Sequence, residues 1–118
     1  MNSEQQIQHQ CIMWFDAEHP EYRGLLYHNY NNPPNKIQGR ILKGLGLRKG
    51  VPDLFLALPI NGRPGLYIEM KNAKGTLQPE QEKYRDNLKK VGYSWELCRS
   101  LEEFQKIITK YLDLPINR

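Results

Sequence analysis

The chain has 118 residues, 39% of them hydrophobic and 25% charged, and this size and composition predict one folded domain rather than a disordered chain. Its apolar runs fall far short of the ~18–20 residues that cross a bilayer, its polar start does not resemble a secretory signal, and two cysteines are too few for a disulfide framework. With a net charge of +4, it is expected to be a cytoplasmic protein that has no association with a membrane.

The first part of the chain predicts a helix, a strand and a second helix, over residues 3–18, 24–30 and 36–46. Ser3 is the expected N-cap of the first helix, and Pro20 ends that helix. A turn rich in Asn and Pro separates the strand from the second helix, which carries apolar residues at helical spacing.

Positive charge is concentrated in the same part of the chain. Residues 22–52 contain six bases and no acid; the bases are Arg23, Lys36, Arg40, Lys43, Arg48 and Lys49. A basic block inside a folded domain favours nucleic acid as the partner, although a solvated positive loop would produce the same pattern.

The rest of the chain predicts two strands, a helix, a strand and a final helix, over residues 51–58, 66–71, 76–92, 93–98 and 100–112. Asn61-Gly62 is a strong signal for a hairpin, so the first two of these strands should pair antiparallel. The strand–helix–strand segment that follows predicts a parallel crossover. The order α-β-α-β-β-α-β-α therefore predicts an α/β fold with a mixed sheet covered by helices.

Two strands of the predicted hairpin carry residues suited to catalysis. Glu69 and Lys71 alternate onto one face of an otherwise apolar strand. The hairpin turn lies at the far ends of both strands, so Asp53 on the preceding strand is expected beside them. Two carboxylates suit Mg²⁺ or Mn²⁺, and a nearby lysine can orient water and offset transition-state charge. The cluster predicts a site for phosphodiester hydrolysis.

Two helical residues are further candidates for this site. Glu4 lies on the inward stripe of the first helix, and Gln81 lies on the inward stripe of the third. Each has a structural alternative: Glu4 favours the positive end of its helix, and Gln81 can complete a capping box begun at Gln78.

These motifs resemble the VRR-NUC family, the virus-type replication-repair nucleases of the PD-(D/E)XK superfamily. The resemblance runs from Glu4 to about Tyr93 and rests on Gly-Val-Pro-Asp at 50–53, the hairpin, Glu-Met-Lys at 69–71 and the glutamine of the following helix. It implies a single domain over 1–118 with a restriction-endonuclease-like fold. It also implies Mg²⁺, replaceable by Mn²⁺, held by Asp53, Glu69 and the backbone carbonyl of Met70, with Lys71 catalytic and with Glu4 and Gln81 completing the site.

The resemblance implies a metal-dependent DNA endonuclease. Family members that stand alone look like phage or bacterial proteins that dimerise and cut branched DNA such as Holliday junctions, so we expect a homodimer with no small-molecule cofactor. Five bases are expected to hold phosphates near the metal: Arg40, Lys43, Arg48, Lys49 and Lys74. Gly44, Gly46 and Gly50 either let nucleic acid approach the backbone closely or serve only tight turns.

Two other classes of function stay open from the sequence. One is a non-catalytic nucleic-acid-binding module of a phage replication or repair complex, and the other is a structural partner in such a complex. Among the remaining residues, Tyr27, Tyr30 and Trp14 are expected to be core rather than stacking surfaces, and His9, His19 and His28 are expected to be surface or satisfied histidines.

Overall fold

The helices and strands follow the predicted order. The computed structural model describes residues 1–113 and contains helices α1 (Ser3–Glu18), α2 (Lys36–Gly44), α3 (Pro79–Lys90) and α4 (Leu101–Tyr111), and strands β1 (Leu26–His28), β2 (Leu54–Leu56), β3 (Leu66–Met70) and β4 (Ser94–Cys98). Every strand is shorter than predicted, and a 3₁₀ turn at Pro20–Tyr22 follows α1. Residues 114–118 of the predicted domain lie outside the described residues.

The four strands form one mixed sheet in the order β1-β2-β3-β4, which confirms the predicted α/β architecture. β1 pairs antiparallel with β2, β2 pairs antiparallel with β3, and β3 pairs parallel with β4 across α3. The hairpin turn has positive φ at Asn61 (50°) and Gly62 (79°), and Ile60 and Arg63 exchange two backbone hydrogen bonds of 2.9 Å. This is the two-residue turn whose twist suits a hairpin, as Asn-Gly predicted.

One face of the sheet forms the hydrophobic core with α1 and α4. Leu26, Leu56 and Leu66 are register partners across three strands, so their side chains leave the sheet on the same side. The core around them is completed from the other strand positions and from the two helices by Leu54, Ile68, Met70, Cys98, Cys11, Phe15, Phe104, Ile108, Tyr111 and Leu112. Burial of one face in this way fixes the strand register and therefore which side chains occupy the opposite face.

The opposite face of the sheet carries the polar residues of β3. Glu69 leaves β3 on the side away from the core residues Ile68 and Met70, together with Tyr67. Helix α3 contacts β4 and covers this face from one side. The candidate catalytic residues are thus held on a rigid sheet, between α3 and the segment that leads into β2.

The N-terminal cap of α1 differs from the sequence prediction. The N-cap of α1 is Asn2 and not Ser3: the Gln5 N–H donates to Asn2 Oδ1 at 2.8 Å, and the Asn2 N–H donates to Gln5 Oε1 at 3.0 Å. Asparagine one residue earlier caps a helix as well as serine does, and at position 2 it also gains a reciprocal hydrogen bond from Gln5, which explains why Asn2 is the N-cap.

Within residues 1–113, every helix falls short of the length and apolar character that a bilayer span requires.

Helix α2 does not bury the apolar stripe that predicted it. Ile37, Ile41 and Leu45 are exposed, and the helix has no buried residue. Its N-cap is Asn35, whose Oδ1 accepts the Gln38 N–H at 2.8 Å. Local capping and helical spacing therefore predicted the helix correctly, but its tertiary environment could not be inferred from them.

Candidate active site

Asp53 is fixed just before β2 by contacts from two neighbouring strands. On one side, the Asn29 N–H donates to the Asp53 carbonyl at 2.8 Å, and Asn29 Nδ2 donates to the Pro52 carbonyl at 3.0 Å. On the other side, the Met70 N–H donates to Asp53 Oδ2 at 2.8 Å. The carboxylate therefore lies at the end of β3 that carries Glu69 and Lys71, where the hairpin geometry predicted it.

Glu69 is a buried carboxyl group with one unused oxygen. Its residue is only 2% exposed; Oε2 accepts from Gln81 Nε2 at 3.1 Å, while Oε1 has no hydrogen-bond partner in the described part of the chain. Burial, and then the nearby charge of Asp53, raise the pKa of Glu69 to about 9, while Lys71 opposes the shift. An interior oxygen without a donor is costly, so this position calls for a proton or a cation.

The side-chain amide of Gln81 has two partners. Its oxygen accepts the Gln78 N–H at 2.8 Å and so caps α3, and its nitrogen donates to Glu69. Gln81 therefore both completes the capping box of α3 and contacts a candidate site residue, because capping by the oxygen turns the NH₂ group toward the Glu69 carboxylate. The cap thereby fixes the direction of the hydrogen bond that Glu69 receives.

Glu4 and Met70 line a cavity next to the two carboxylates. This cavity has a volume of about 470 Å³, and Asp53 lines it together with residues of α1 and β1 that include Gln8 and His28. The negative charge of Glu4 contributes to the raised pKa of Glu69, after the larger effects of burial and Asp53. Because the Met70 N–H is directed at Asp53, its carbonyl is expected to face the same side of the strand.

Lys71 and Lys74 follow β3 but have different surroundings. Lys71 is half-buried, its N–H donates to the Cys98 carbonyl at 3.0 Å, and its ammonium group is near enough to lower the pKa of Glu69. Lys74 is exposed on a loop where its N–H donates to Asn72 Oδ1 at 3.0 Å. The structure brings Lys71 to the carboxylates, whereas Lys74 stands apart from the other predicted phosphate-binding residues.

The oxygen atoms at this site suit a hard divalent cation. Among residues 1–113, no three side chains of His, Cys, Asp or Glu are grouped closely enough to hold a metal. The available donors are the carboxylates of Asp53 and Glu69 and the Met70 carbonyl. Mg²⁺ is commonly held by one or two carboxylates while water completes its coordination, so this sparse set and the unpartnered Glu69 oxygen fit Mg²⁺.

Most of the positively charged residues of the basic block line a second cavity, of about 560 Å³, that we call the basic cavity. Four residues predicted to bind phosphates meet there, and Lys36 joins them; the charged lining is Lys36, Arg40, Lys43, Arg48 and Lys49. The five side chains come from α2 and from the loop between α2 and Asp53, and all are exposed. The block is thus concentrated at one place rather than spread over a loop.

His28 and Asn29 are site residues that the sequence analysis missed. His28 was expected at the surface; it is exposed, but its Nδ1 lies 3.1 Å from the Asp53 carbonyl oxygen and 3.0 Å from Gln8 Nε2. Asn29 holds the Pro52-Asp53 segment by two further hydrogen bonds. Pairing of the first two strands is the feature that could have revealed both residues, because the β1–β2 register places His28 opposite Leu54 and hence beside Asp53.

Glycine is required at position 50, where the loop between α2 and Asp53, which we call the basic loop, crosses α3. It has φ +88°, and a Cβ there would lie 2.3 Å from the Glu80 carbonyl oxygen and 3.1 Å from the Gln81 nitrogen. The close approach at Gly50 is therefore to the protein's own helix. A Cβ at Gly44 or Gly46 would meet no atom within 4 Å, so the space next to these two glycines is open.

We expect Gly50→Ala to lower the free energy of unfolding by roughly 2–4 kcal/mol, because strained backbone and a backbone clash add. Urea denaturation measures the loss, and the added methyl group should also displace Gln81 from Glu69. Gly44→Ala is the matched control: it lies in a helix with open space beside it and should stabilise by up to about 1 kcal/mol. Equal stabilities of the two variants would contradict the role given to Gly50.

Comparison with known proteins agrees with the geometry. The family model for the VRR-NUC domain matches residues 2–102. A solved structure of a VRR_NUC domain protein is similar with a TM-score of 0.82 and 20% sequence identity, covering 97% of this chain and 91% of that chain, and at this identity the likeness shows the fold alone. No curated protein matches the chain. On the strength of the family match, the chain belongs to the VRR-NUC family and has its nuclease-type fold.

Proposed function

We propose that this protein is a Mg²⁺-dependent endonuclease that hydrolyses phosphodiester bonds in branched DNA. The observation that carries the proposal is the buried, unpartnered Oε1 of Glu69 beside Asp53, with Lys71 close by. A carboxylate pair of this kind destabilises the protein unless a proton or a cation joins it, and a site built to hold a cation beside a lysine supports a metal-dependent reaction. Membership of a nuclease family supports DNA as the substrate.

Each residue of the site has a defined task in this proposal. Asp53, Glu69 and the Met70 carbonyl would hold the metal, which when bound polarises the phosphate and lowers the pKa of bound water. Lys71 orients the attacking water and offsets negative charge that develops on the phosphate. Gln81 holds one oxygen of Glu69 and leaves the other free. Glu4 lines the adjacent cavity, where it orients water or supports a second cation.

DNA cleavage tests the enzyme proposal directly. A supercoiled plasmid incubated with the protein and Mg²⁺ should be nicked, Mn²⁺ should substitute, and EDTA should stop the reaction. Salt-sensitive binding without any metal-dependent product would contradict catalysis and favour a non-catalytic binding module. Absence of nucleic-acid affinity at moderate salt would favour a structural partner instead.

The basic cavity is assigned to phosphates of the substrate. Reversing either Arg40 or Lys43 singly to Glu should weaken DNA binding and reduce the slope of log K against log[salt] by about 0.9 for each phosphate that the protein no longer neutralises. Fluorescence anisotropy of a labelled duplex, with Ca²⁺ in place of Mg²⁺, measures both quantities. Lys106→Glu on α4 is the control for net charge, since Lys106 is exposed and its ion pair within residues 1–113 is with Glu102 at 3.6 Å. An equal loss of affinity in the control would contradict a localised phosphate site.

A homodimer is part of the proposal because one site cuts one strand. Two-fold symmetry is the simplest way to present two sites to the two strands of a junction. Light scattering at working concentration should report a dimer, and a panel of four-way junction, flap, fork and linear substrates should show a preference for branched DNA. A monomer would contradict symmetric cleavage of junctions and favour the cutting of flaps or single strands.

A further inference from the structure

The face of the sheet that carries Glu69 also carries a continuous set of aromatic rings. Tyr27, Phe55 and Tyr67 are register partners on β1, β2 and β3, and Tyr93 joins them from the segment before β4. Ring centroids are 5.9 Å apart for Tyr27–Phe55, 4.3 Å for Phe55–Tyr67 and 5.3 Å for Tyr67–Tyr93. We call these four residues the aromatic row.

The aromatic row is open at the β1 edge and covered at the β4 edge. Tyr27 is 46% exposed, and Phe55, Tyr67 and Tyr93 are half-buried. The next register partner, Trp95, is covered by the guanidinium of Arg85 and the ammonium of Lys89, which lie 5.7 and 5.8 Å from its ring. A flat ligand therefore has access from the Tyr27 side.

The Phe55 ring is held in place, and the hydroxyl groups of the three tyrosines reach the surface. The Phe55 ring fills the space where residue 65 would carry a Cβ, only 2.5 Å away, so Gly65 is what allows the ring to lie there. The hydroxyl oxygens of Tyr67 and Tyr93 are not among the buried polar atoms that lack a partner in the described chain, so they reach the surface, as does the exposed Tyr27. The aromatic row is therefore a partly open surface rather than a closed second core.

The aromatic row is continuous with the carboxylate pair. Tyr67 and Glu69 leave β3 on the same side, two residues apart, which corresponds to about 6.7 Å along a strand. The basic loop also approaches the carboxylates, because Gly50 packs against the first turn of α3. Gln81, in that same turn, contacts Glu69. A phosphate at the carboxylates would therefore have cations on one side and aromatic rings on the other.

We propose that the aromatic row stacks an unpaired base of the DNA strand next to the phosphate that is cut. This inference rests on the proposed nuclease function and narrows its substrate to branched DNA that presents an unpaired base at the branch point, as in a flap, a splayed fork or an opened four-way junction. Aromatic rings stack on bases of any sequence because every base has a π-face. A paired base keeps both faces inside the duplex, so only an unpaired base can use the row. An apolar peptide or a lipid could contact the rings, but neither would account for the adjoining cations and carboxylates.

Replacement of Tyr27 tests the inference without any cleavage. In EDTA, Tyr27→Leu should weaken binding of an oligo-dT strand by about 5- to 100-fold, the range for loss of stacking on one base, while Tyr27→Phe should bind as the wild type does. Affinity for a fully paired duplex should be the same in all three proteins. A strand containing 2-aminopurine should lose fluorescence on binding to the wild type and to Tyr27→Phe, but not to Tyr27→Leu.

Tyr30→Leu is the matched control, because Tyr30 is also exposed but lies in the loop after β1 and outside the aromatic row. Equal binding of the single strand by Tyr27→Leu and the wild type would overturn the inference, as would an equal loss of single-strand and duplex binding. The result is separate from that of the cleavage assay: stacking without metal-dependent cleavage would refute the proposed enzyme but leave the base-stacking site standing.

Discussion

Replacing Lys71 with alanine should reduce the rate of DNA cleavage in Mg²⁺ by about 10²–10³-fold, the size of effect seen when one preorganised group that stabilises transition-state charge is removed. Lys71 is the ammonium group that opposes the raised pKa of Glu69, so it lies next to the carboxylates that would hold the metal. No other lysine follows β3 at this position of the sheet, since Lys74 lies on an exposed loop.

Single-turnover cleavage of a labelled substrate, with the enzyme in excess, measures this effect on the chemical step. Lys106→Ala removes an exposed lysine of α4 and should leave the rate unchanged. DNA binding by Lys71→Ala, measured in Ca²⁺, should stay close to the wild-type value, because the expected loss is in the reaction and not in affinity. Cleavage by Lys71→Ala at the wild-type rate would contradict the assignment of Lys71 as a catalytic residue.

The change Glu69→Gln should abolish metal binding and stabilise the metal-free protein at alkaline pH. The pKa of Glu69 is raised from 4.5 to about 9, so between these values the folded protein holds a proton that the unfolded chain has released. The free energy of unfolding of the metal-free wild type therefore falls as pH rises through this window, by at most about 1.4 kcal/mol per pH unit. Glutamine does not titrate and lacks this loss, so the variant should gain roughly 2–4 kcal/mol over the wild type between pH 5 and pH 8.

Thermal and urea denaturation with EDTA, at pH 5 and pH 8, measure the difference, and Glu102→Gln on α4 serves as the exposed control. Mg²⁺ at about 1,000 times its Kd should cancel or exceed this advantage at pH 8, because the wild type gains about 4.1 kcal/mol from binding and Glu69→Gln gains nothing. If the difference in stability between the metal-free wild type and Glu69→Gln is the same at pH 5 and pH 8, the raised pKa assigned to the buried Glu69 carboxyl group is contradicted.

The sequence sufficed for the position of the carboxylates because the hairpin is encoded locally. Asn61-Gly62 specifies a two-residue turn that makes β2 and β3 antiparallel neighbours. Burial of alternate apolar residues on both strands fixes their register, and this register brings Asp53 to the end of β3. Alternation along the strand then places Glu69 and Lys71. Each step depends on the hairpin and its two strands, which is why the predicted proximity of Asp53, Glu69 and Lys71 is found in the structure.

Other parts of the site depend on tertiary contacts that local patterns do not contain. Nothing near Asn29 in sequence indicates that it holds Asp53, because the contact comes from the pairing of β1 with β2. Tyr27 and Tyr30 were wrongly expected in the core, since β1 is an edge strand that leaves the Tyr27 ring exposed and Tyr30 lies in the exposed loop after it. Gly50 could be read as a turn residue, but only the structure shows the helix that excludes its side chain.

A manganese-soaked crystal tests the central claim most directly. The claim is that the unpartnered oxygen of Glu69 and the carboxylate of Asp53 exist to hold a divalent cation. Anomalous scattering at the manganese edge should place an ion bonded to both carboxylates and to the Met70 carbonyl. Crystals with no anomalous peak there, or with the two carboxyl groups turned away from each other, would contradict the account.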